Sequence, residues 1–282
     1  MNCFEVEKDV DLIIYGIPRS ANTLTRMIIN EIIKRKNLNI NFESTHHYLG
    51  SKENVDALLK IYDGFLEGNV NPEEYQQYIF NVVKMGYNKK EPTVIICIRD
   101  VFDAYVSYIN ALQGYLEDCK NKKIKPNREQ KDPSIWIGEN FLYFFMYFNQ
   151  MLSGRKTFVL RYEDFNSDTG LKNRIIKLSE ILETNISENE VNDIAEMFSI
   201  EKNKKIADKF KHFGEWDEKT MLHGNHIGEL KGASGLSNFH FSIEEKISIF
   251  KSLGLPVACY SGLGYNVLGA ELAMSNTNVV KK

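Results

Sequence analysis

The sequence of 282 residues has few cysteines, no long apolar run and almost no net charge, and each absence excludes a class of protein. Its four cysteines (Cys3, Cys97, Cys119, Cys259) are scattered with no C-x-x-C spacing, which indicates neither a disulfide framework nor a zinc cluster. No segment approaches the roughly 20 apolar residues that span a bilayer. The 35 Lys and Arg residues against 38 Asp and Glu give a net charge of −3, which argues against nucleic acid or an anionic membrane as the main partner. Any anion site must therefore be local.

The start of the chain also lacks the basic and apolar regions of a secretory signal. Together with the scattered cysteines, this predicts a cytoplasmic protein with free thiols. The length favours a single domain over residues 1–282, with a basic surface loop at 117–133 and a frayed tail at 275–282.

Strand and helix patterns alternate along the chain. Apolar β-prone runs at 11–15, 93–98 and 157–161 predict buried strands, and a further strand is predicted at 39–44. This alternation predicts an α/β fold with a central, mostly parallel sheet flanked by helices on both faces. The first helix is predicted to begin at residue 22. Further helices are predicted at 53–65, 72–85, 101–116, 134–152, 171–182 and 187–198.

The loop that follows the first strand has the composition of an anion cradle. Residues 16–24 lead from a buried strand into a helix, where free N–H groups and the helix dipole favour negative charge. Arg19 adds a forked set of donors suited to phosphate or sulfate, and Ser20, Asn22 and Thr23 add polar side chains. The alternative is a plain capped helix with a surface arginine. A nucleoside-triphosphate P-loop would need Gly and Lys at positions 21 and 22.

The sequence of residues 18–24, PRSANTL, resembles the 5′-phosphosulfate loop, P-[KR]-S-G-T-T, of sulfotransferases that use 3′-phosphoadenosine 5′-phosphosulfate (PAPS). The resemblance implies that Arg19 is the catalytic basic residue as well as a cofactor ligand. It also implies that the rest of the loop holds the cofactor, through Ser20, Ala21, Asn22, Thr23 and Leu24.

Three later segments resemble the same family in the same order. Residues 99–107 resemble its 3′-phosphate motif, R-[DN]-P-x-D-x-x-x-S, with Val101 in place of the proline, and imply Arg99 and Ser107 as ligands. On its own, an Arg-Asp pair here is more typical of a structural ion pair. Tyr162, in R-Y-E-D, is implied to enclose the nucleotide. Residues 230–242 resemble R-K-G-x-x-G-D-W-K-x-x-F-T, which implies that Lys231 and Gly232 bind the 3′-phosphate.

An acceptor hydroxyl needs a base, and histidine has the best-matched pKa. Thr45-His46 matches the K-T-H segment in which the family carries its base. His46 is therefore the first candidate and His47 the second, with Glu43 a further one. The alternative is a pair of surface imidazoles.

The resemblance implies a P-loop-like α/β fold and an enzyme that moves a sulfuryl group from PAPS to a hydroxyl or amine of a small metabolite, releasing 3′,5′-adenosine bisphosphate (PAP) without a metal. A P-loop nucleotide kinase and a non-catalytic nucleotide-binding module are the alternatives. No nucleic acid or membrane partner is expected, and a homodimer is left open. The aromatic run at 141–148 is more typical of a hydrophobic core than of a pocket for the acceptor. Trp216 and Tyr48 are further candidates for that pocket. Nothing in the sequence identifies the acceptor.

Overall fold

The computed structural model describes residues 10–45, 69, 92–126, 129–138, 140–141, 156–165, 167–212, 214–224, 227, 234–252, 260, 263 and 265. Among them, four parallel strands form one sheet in the order β2-β1-β3-β4. The strands are β1 (Leu12–Gly16), β2 (Phe42–Thr45), β3 (Thr93–Ile98) and β4 (Thr157–Arg161). The predicted parallel sheet is confirmed, with the second strand displaced toward residue 45.

The strand register brings the carboxyl ends of all four strands to one edge. Tyr15 lies opposite Thr45, Gly16 opposite Cys97, and Ile98 opposite Arg161. In open α/β sheets, ligands bind at this edge because the loops that follow the strands meet there. The loop before residue 22, the segment after β3 and the segment after β4 therefore converge.

Six helices with defined bounds and two short 3₁₀ turns accompany the sheet in the described part of the chain, and residues 133–138 are helical as well. The helices are α1 (Asn22–Lys36), α2 (Val101–Lys122), α3 (Asp168–Ile181), α4 (Glu188–Met197), α5 (Ile200–Ala207) and α6 (Ile243–Ser252). The 3₁₀ turns are Glu163–Phe165 and Leu236–Phe239. Capping boxes begin α4 and α6, because Ser187 and Ser242 each exchange hydrogen bonds with the glutamate three residues on.

Both faces of the sheet are covered. Ile14 and Ile95 project toward one face, where they pack with apolar residues of α1, α3 and α4. Their neighbours Ile13 and Ile96, which point to the opposite face because side chains alternate along a strand, are also buried. This two-sided burial explains why the strands read as nearly continuous apolar runs.

The prediction that a loop begins at residue 117 is wrong, because α2 continues to Lys122. Asp118 pairs with Lys122 at 2.7 Å along the same helix, and Cys119 is buried. Lys123 then ends the helix in a left-handed conformation, and its N–H donates to the carbonyl groups of Cys119 and Lys120. Two lysines of the predicted loop, Lys120 and Lys122, occupy the last turn of α2, where cations are stabilised by the helix dipole. Of the predicted loop, the described residues outside any helix are 123–126 and 129–132, since residue 133 is already helical.

Several predicted elements fall outside the described residues. They are the helices at 53–65 and 72–85, positions 142–152 of the aromatic helix predicted at 134–152, and the tail at 275–282. Of that aromatic helix, Trp136 and Phe141 are buried, as expected for core. No described helix is both long and apolar enough to cross a bilayer.

Candidate active site

The loop between β1 and α1 is held tightly against the end of β3. Ile17 donates its N–H to the Cys97 carbonyl oxygen at 3.2 Å. The Ser20 hydroxyl lies 2.6 Å from the Ile17 carbonyl oxygen and 2.9 Å from that of Cys97. Ser20 and Asn22 are buried beneath the loop, so the Ser20 hydroxyl serves the loop's own structure and does not face a ligand. Thr23 is half-buried on the first turn of α1.

Two residues of this loop adopt the left-handed conformation that favours glycine. Arg19 has φ 73° and Ala21 has φ 66°. The family pattern has glycine at the position of Ala21, and the positive φ gives the physical reason. A non-glycine residue in this region costs of the order of 1 kcal/mol, and such strain persists where the surrounding contacts fix the backbone.

Gly16 is the closest approach between the loop and the sheet. A Cβ atom at this position would lie 2.5 Å from the Cys97 carbonyl oxygen and would collide with the Asn22 side-chain amide. Backbone cannot move aside as a flexible side chain can, so the loop would have to leave the edge of β3.

We therefore expect Gly16→Ala to lower the affinity for PAP by at least about tenfold, equivalent to 1.4 kcal/mol, through displacement of the loop. Titration calorimetry measures this loss. Asn30→Ala, at an exposed position of α1, is the control. Wild-type affinity in Gly16→Ala would contradict the account of the loop.

Arg19 and Arg99 bring two guanidinium groups together at the edge of the sheet. Arg99 is only 2 % exposed and donates from Nη1 to the Arg19 carbonyl oxygen at 3.2 Å. Burial, followed by repulsion from Arg99, lowers the pKa of Arg19 to about 10, while Tyr162 acts in the opposite direction. Arg19 remains cationic at neutral pH. A bound anion would relieve the desolvation and the repulsion together.

Ser107 and Tyr162 complete this cluster. The Nε of Arg19 donates to the Ser107 hydroxyl at 3.0 Å, across 88 residues of sequence. The Arg99 guanidinium lies over the Tyr162 ring, 4.1 Å from its centre, and the aromatic face orients the charge. Residues that follow three different strands therefore contact one another, and these contacts hold the two guanidinium groups in place.

These groups line a cavity of about 740 Å³. Six of the residues predicted from the sequence lie in its wall: Arg19, Ala21, Leu24, Arg99, Ser107 and Tyr162. His46, His47, Lys231 and Gly232 lie outside the described residues. Of the two pocket candidates, Tyr48 also lies outside the described residues. Trp216 is 47 % exposed and packs beside His223.

Asp103 is a residue of this site that the sequence interpretation missed. It is 2 % exposed, and its carboxylate accepts hydrogen bonds from the N–H groups of Gly235 at 2.5 Å and Ser237 at 2.8 Å. Asp103 thus ties α2, which carries Ser107, to the chain that follows residues 231–232. Asp103 occupies the second acidic position of the motif at 99–107, and this match could have identified it from the sequence.

Asp100 is used to organise the start of α2. One carboxylate oxygen accepts from the Asp103 N–H at 2.8 Å, and the other accepts from the Tyr260 hydroxyl at 2.7 Å. Tyr260 also accepts from the Val101 N–H at 3.2 Å, a bond that the proline of the family pattern could not make. Burial and the neighbouring Asp103 raise the pKa of Asp100. Asp100 is therefore a helix cap linked to Tyr260.

Among the residues that the structure describes, no cluster of three or more His, Cys, Asp or Glu side chains could hold a metal ion. Among the described residues, arginines and Lys204 supply the cations of the cavity wall. The arrangement can bind a multiply charged anion and stabilise negative charge that develops on it.

Comparison with known proteins identifies the family of the chain and a similar fold. The sequence model of the sulfotransferase domain matches residues 9–222. The fold is similar to that of mouse sulfotransferase SULT7A1 complexed with PAP, with a TM-score of 0.52 and 13 % identity over 92 % of this chain and 90 % of that one. Retinol dehydratase in a complex with retinol and PAP gives a TM-score of 0.47 and 15 % identity over 86 % of this chain and 80 % of that one.

No curated protein sequence matches this one. The domain match nevertheless covers well over half of the chain and includes the Arg19 loop, the motif at 99–107 and Tyr162. The chain belongs to the sulfotransferase family.

Proposed function

We propose that this sulfotransferase takes its sulfuryl group from PAPS and transfers it to a hydroxyl or amine of a small molecule. One observation carries the proposal: Arg19, Arg99, Ser107 and Tyr162, which follow three different strands, line a single cavity at the carboxyl edge of the sheet. That set offers two fixed cations, a hydroxyl and an aromatic face. It matches the needs of a nucleotide with two separate charged groups.

The described residues fit PAPS by size and charge. A cavity of about 740 Å³ falls within the roughly 300–1,000 Å³ range of small-molecule sites. Arg19 and the start of α1 would hold the 5′-phosphosulfate, and Arg99 with Ser107 would hold the 3′-phosphate. Lys231 and Gly232 are proposed as additional 3′-phosphate ligands, supported by the way Asp103 fixes the nearby Gly235 and Ser237.

The protein's part in the reaction is alignment and charge stabilisation. When bound, PAPS supplies an activated sulfuryl group whose departure leaves charge on the bisphosphate. Arg19 is placed to stabilise that charge, and its hydrogen bond to Ser107 keeps its guanidinium in place. Because its pKa of about 10 is still well above neutrality, Arg19 acts as a fixed cation and does not donate a proton.

We propose His46 as the base that takes the proton from the acceptor, with His47 as the second candidate. The support is topological: Thr45 ends β2 opposite Tyr15, one residue before Gly16 and the cofactor loop. The residue after Thr45 therefore follows a strand that ends at the same edge of the sheet.

His46→Ala is expected to lower kcat by about 100-fold or more while leaving the affinity for PAP unchanged, because the base contacts only the acceptor. Initial rates and calorimetry measure the two quantities separately, and His240→Ala is the control. Unchanged turnover in His46→Ala would transfer the assignment to His47.

The nucleotide-kinase alternative is not favoured by the loop. Asn22 stands where a P-loop has its lysine, and its buried side-chain amide packs against Gly16. Transfer of radiolabelled sulfate from PAPS to a panel of alcohols, phenols and amines tests the proposal. Labelled product supports it, whereas PAP binding without transfer to any acceptor would favour the non-catalytic module.

The remaining parts of the proposal concern the surroundings of the enzyme. A cytoplasmic location is supported by the two described cysteines, Cys97 and Cys119, which are buried free thiols. Cell fractionation tests that location.

A homodimer is supported by the exposed apolar side chains of Phe239 and Ile243, and light scattering tests it.

A further inference from the structure

Two buried tyrosines from the C-terminal part of the chain pack behind the ligands proposed for the cofactor. Tyr260 and Tyr265 both lie beyond residue 222, where the match to the sulfotransferase domain ends. The N–H of Tyr265 donates to the Tyr260 carbonyl oxygen at 3.2 Å, so the chain turns between them. Their rings stack with centres 5.0 Å apart and with an angle of 22° between their planes. The turn and the stacking hold the two tyrosines together as one unit.

Each tyrosine hydroxyl donates to a carboxylate that follows a strand. Tyr260 donates to Asp100 Oδ2 at 2.7 Å, and Tyr265 donates to Glu163 Oε2 at 2.8 Å. The other oxygen of Glu163, Oε1, accepts from the Asp100 N–H at 3.0 Å, which closes a ring of contacts. Hydrogen bonds to carboxylates are shorter and stronger than those between neutral groups. One network therefore joins the segment after β3, the segment after β4 and the tyrosine pair.

The tyrosines are suited to this role because their hydroxyl groups stay protonated. Burial, followed by the Asp100 carboxylate, raises the pKa of Tyr260, and burial, followed by Glu163, raises the pKa of Tyr265. Tyr260 also accepts from the Val101 N–H at 3.2 Å. The proline of the family pattern has no N–H to donate, so this contact depends on the valine of this chain. The Tyr260 hydroxyl thus holds two consecutive residues at the start of α2.

The two acids are the chain neighbours of two residues in the cavity wall. Asp100 follows Arg99, and Glu163 follows Tyr162. The Arg99 guanidinium lies 4.1 Å from the centre of the Tyr162 ring, and both side chains line the cavity. The two acids and the two tyrosines are described residues, and none of the four lines it. The contact between the ligands in the wall is therefore supported from behind by a second contact between the acids.

Arg99 needs such support because two forces oppose its position. Its guanidinium and that of Arg19 repel each other, which after burial is the second reason that the pKa of Arg19 is lowered. Arg99 is also almost completely buried, so it has lost most of its hydration. Both effects favour movement of the side chain toward solvent when no anion is bound. A backbone fixed at residues 99–101 opposes that movement.

We propose that Tyr260 and Tyr265 are positioning residues for the cofactor, and that they keep Arg99 in place for the 3′-phosphate by holding Asp100 and Glu163. They act through the backbone beside Arg99 and not by contact with the nucleotide. The inference rests on the proposed function, since it concerns the same 3′-phosphate that Arg99 is proposed to bind. It makes the C-terminal part of the chain necessary for full affinity.

The test compares nucleotides with and without a 3′-phosphate by calorimetry on the full chain. Tyr260→Phe keeps the ring and removes only the hydroxyl group. This variant is expected to bind PAP about tenfold more weakly and to bind adenosine 5′-phosphate, which has no 3′-phosphate, within about twofold of the wild type. Tyr265→Phe is expected to change the two affinities in the same way. Tyr105→Phe is the matched control, because it removes the hydrogen bond of another buried tyrosine, to the Lys131 carbonyl oxygen.

A double-mutant cycle tests whether the tyrosines act through Arg99. In an Arg99→Met background, Tyr260→Phe is expected to cause no further loss of PAP affinity, because the side chain that it positions is absent. Independent contributions would instead add. Titrations well below the melting temperature of every variant prevent a loss of stability from being measured as a loss of affinity.

Equal losses for PAP and adenosine 5′-phosphate in Tyr260→Phe would show support of the whole pocket and would overturn the proposal. Additive losses in the cycle would overturn it too. A wild-type chain that does not bind PAP would contradict the proposed function itself. A wild type that prefers PAP to adenosine 5′-phosphate, with the same preference in both tyrosine variants, would contradict only the positioning role.

Discussion

Replacing Arg19 with methionine is expected to lower the kcat of sulfuryl transfer by about 100- to 1,000-fold, the typical loss when one preorganised donor to a developing charge is removed. Arg19 is the cation of the cofactor loop, and its Nε is already oriented by Ser107 at 3.0 Å. Methionine fills a similar volume without charge. Rates under saturating PAPS measure the effect.

Two further variants decide how Arg19 acts. Arg19→Lys is expected to recover a large part of the rate, because charge is retained while the forked geometry is lost. Arg35→Met, at the far end of α1, is expected to behave as the wild type. A kcat for Arg19→Met equal to that of the wild type would remove Arg19 from the catalytic machinery.

Asp103→Ala is expected to destabilise the folded protein by about 3 kcal/mol or more, because two hydrogen bonds to a charged group are lost and the donors stay buried. The Gly235 and Ser237 N–H groups would lose their acceptor, and the Lys246 amine, which donates to Ser237 Oγ at 3.0 Å, would lose a nearby negative charge. PAP affinity should fall as well, since the chain that follows Lys231 would be released from α2. Urea unfolding and calorimetry measure the two losses.

Asp103→Asn separates charge from shape. It retains one acceptor oxygen at the same position, so we expect a smaller loss of stability than in Asp103→Ala. If Asp103→Ala unfolded at the same urea concentration as the wild type, the hydrogen bonds from residues 235 and 237 to Asp103 would not stabilise the fold, and the account of how this segment is held against α2 would fail.

The sequence alone was sufficient for the sheet and for the part of the site at its edge. The runs at β1 and β3 are almost entirely apolar and buried, which is typical of parallel strands covered on both faces. Parallel strands place their carboxyl ends together, so Arg19, Arg99 and Tyr162 could be expected to meet although they are far apart in the chain.

Other features depended on contacts that no local pattern contains. The end of α2 was misplaced because Asp118, Lys122 and the buried Cys119 continue a helix through a segment whose composition resembles a loop. The inward direction of the Ser20 hydroxyl depends on Cys97, which is 77 residues away. These interactions form only once the sheet has assembled.

Arg174, which is buried on α3 and was not predicted as a site residue, did leave a signal in the sequence. It lies between Leu171 and Leu178 on the face of α3 that packs against the sheet, where an apolar residue would be expected. A charged residue on a buried stripe indicates a partner elsewhere. Its position in the wall of the cavity became evident only from the packing of α3 against β3 and Phe165.

The central claim is that the Arg19 and Arg99 cluster binds a 3′,5′-bisphosphorylated adenine nucleotide. Titration of the wild-type chain with PAP and with ATP, in parallel and without added metal, tests it most directly. We predict one site that binds PAP at least about tenfold more tightly than ATP, a difference of 1.4 kcal/mol. Equal or tighter binding of ATP, or no binding of PAP, would contradict the account.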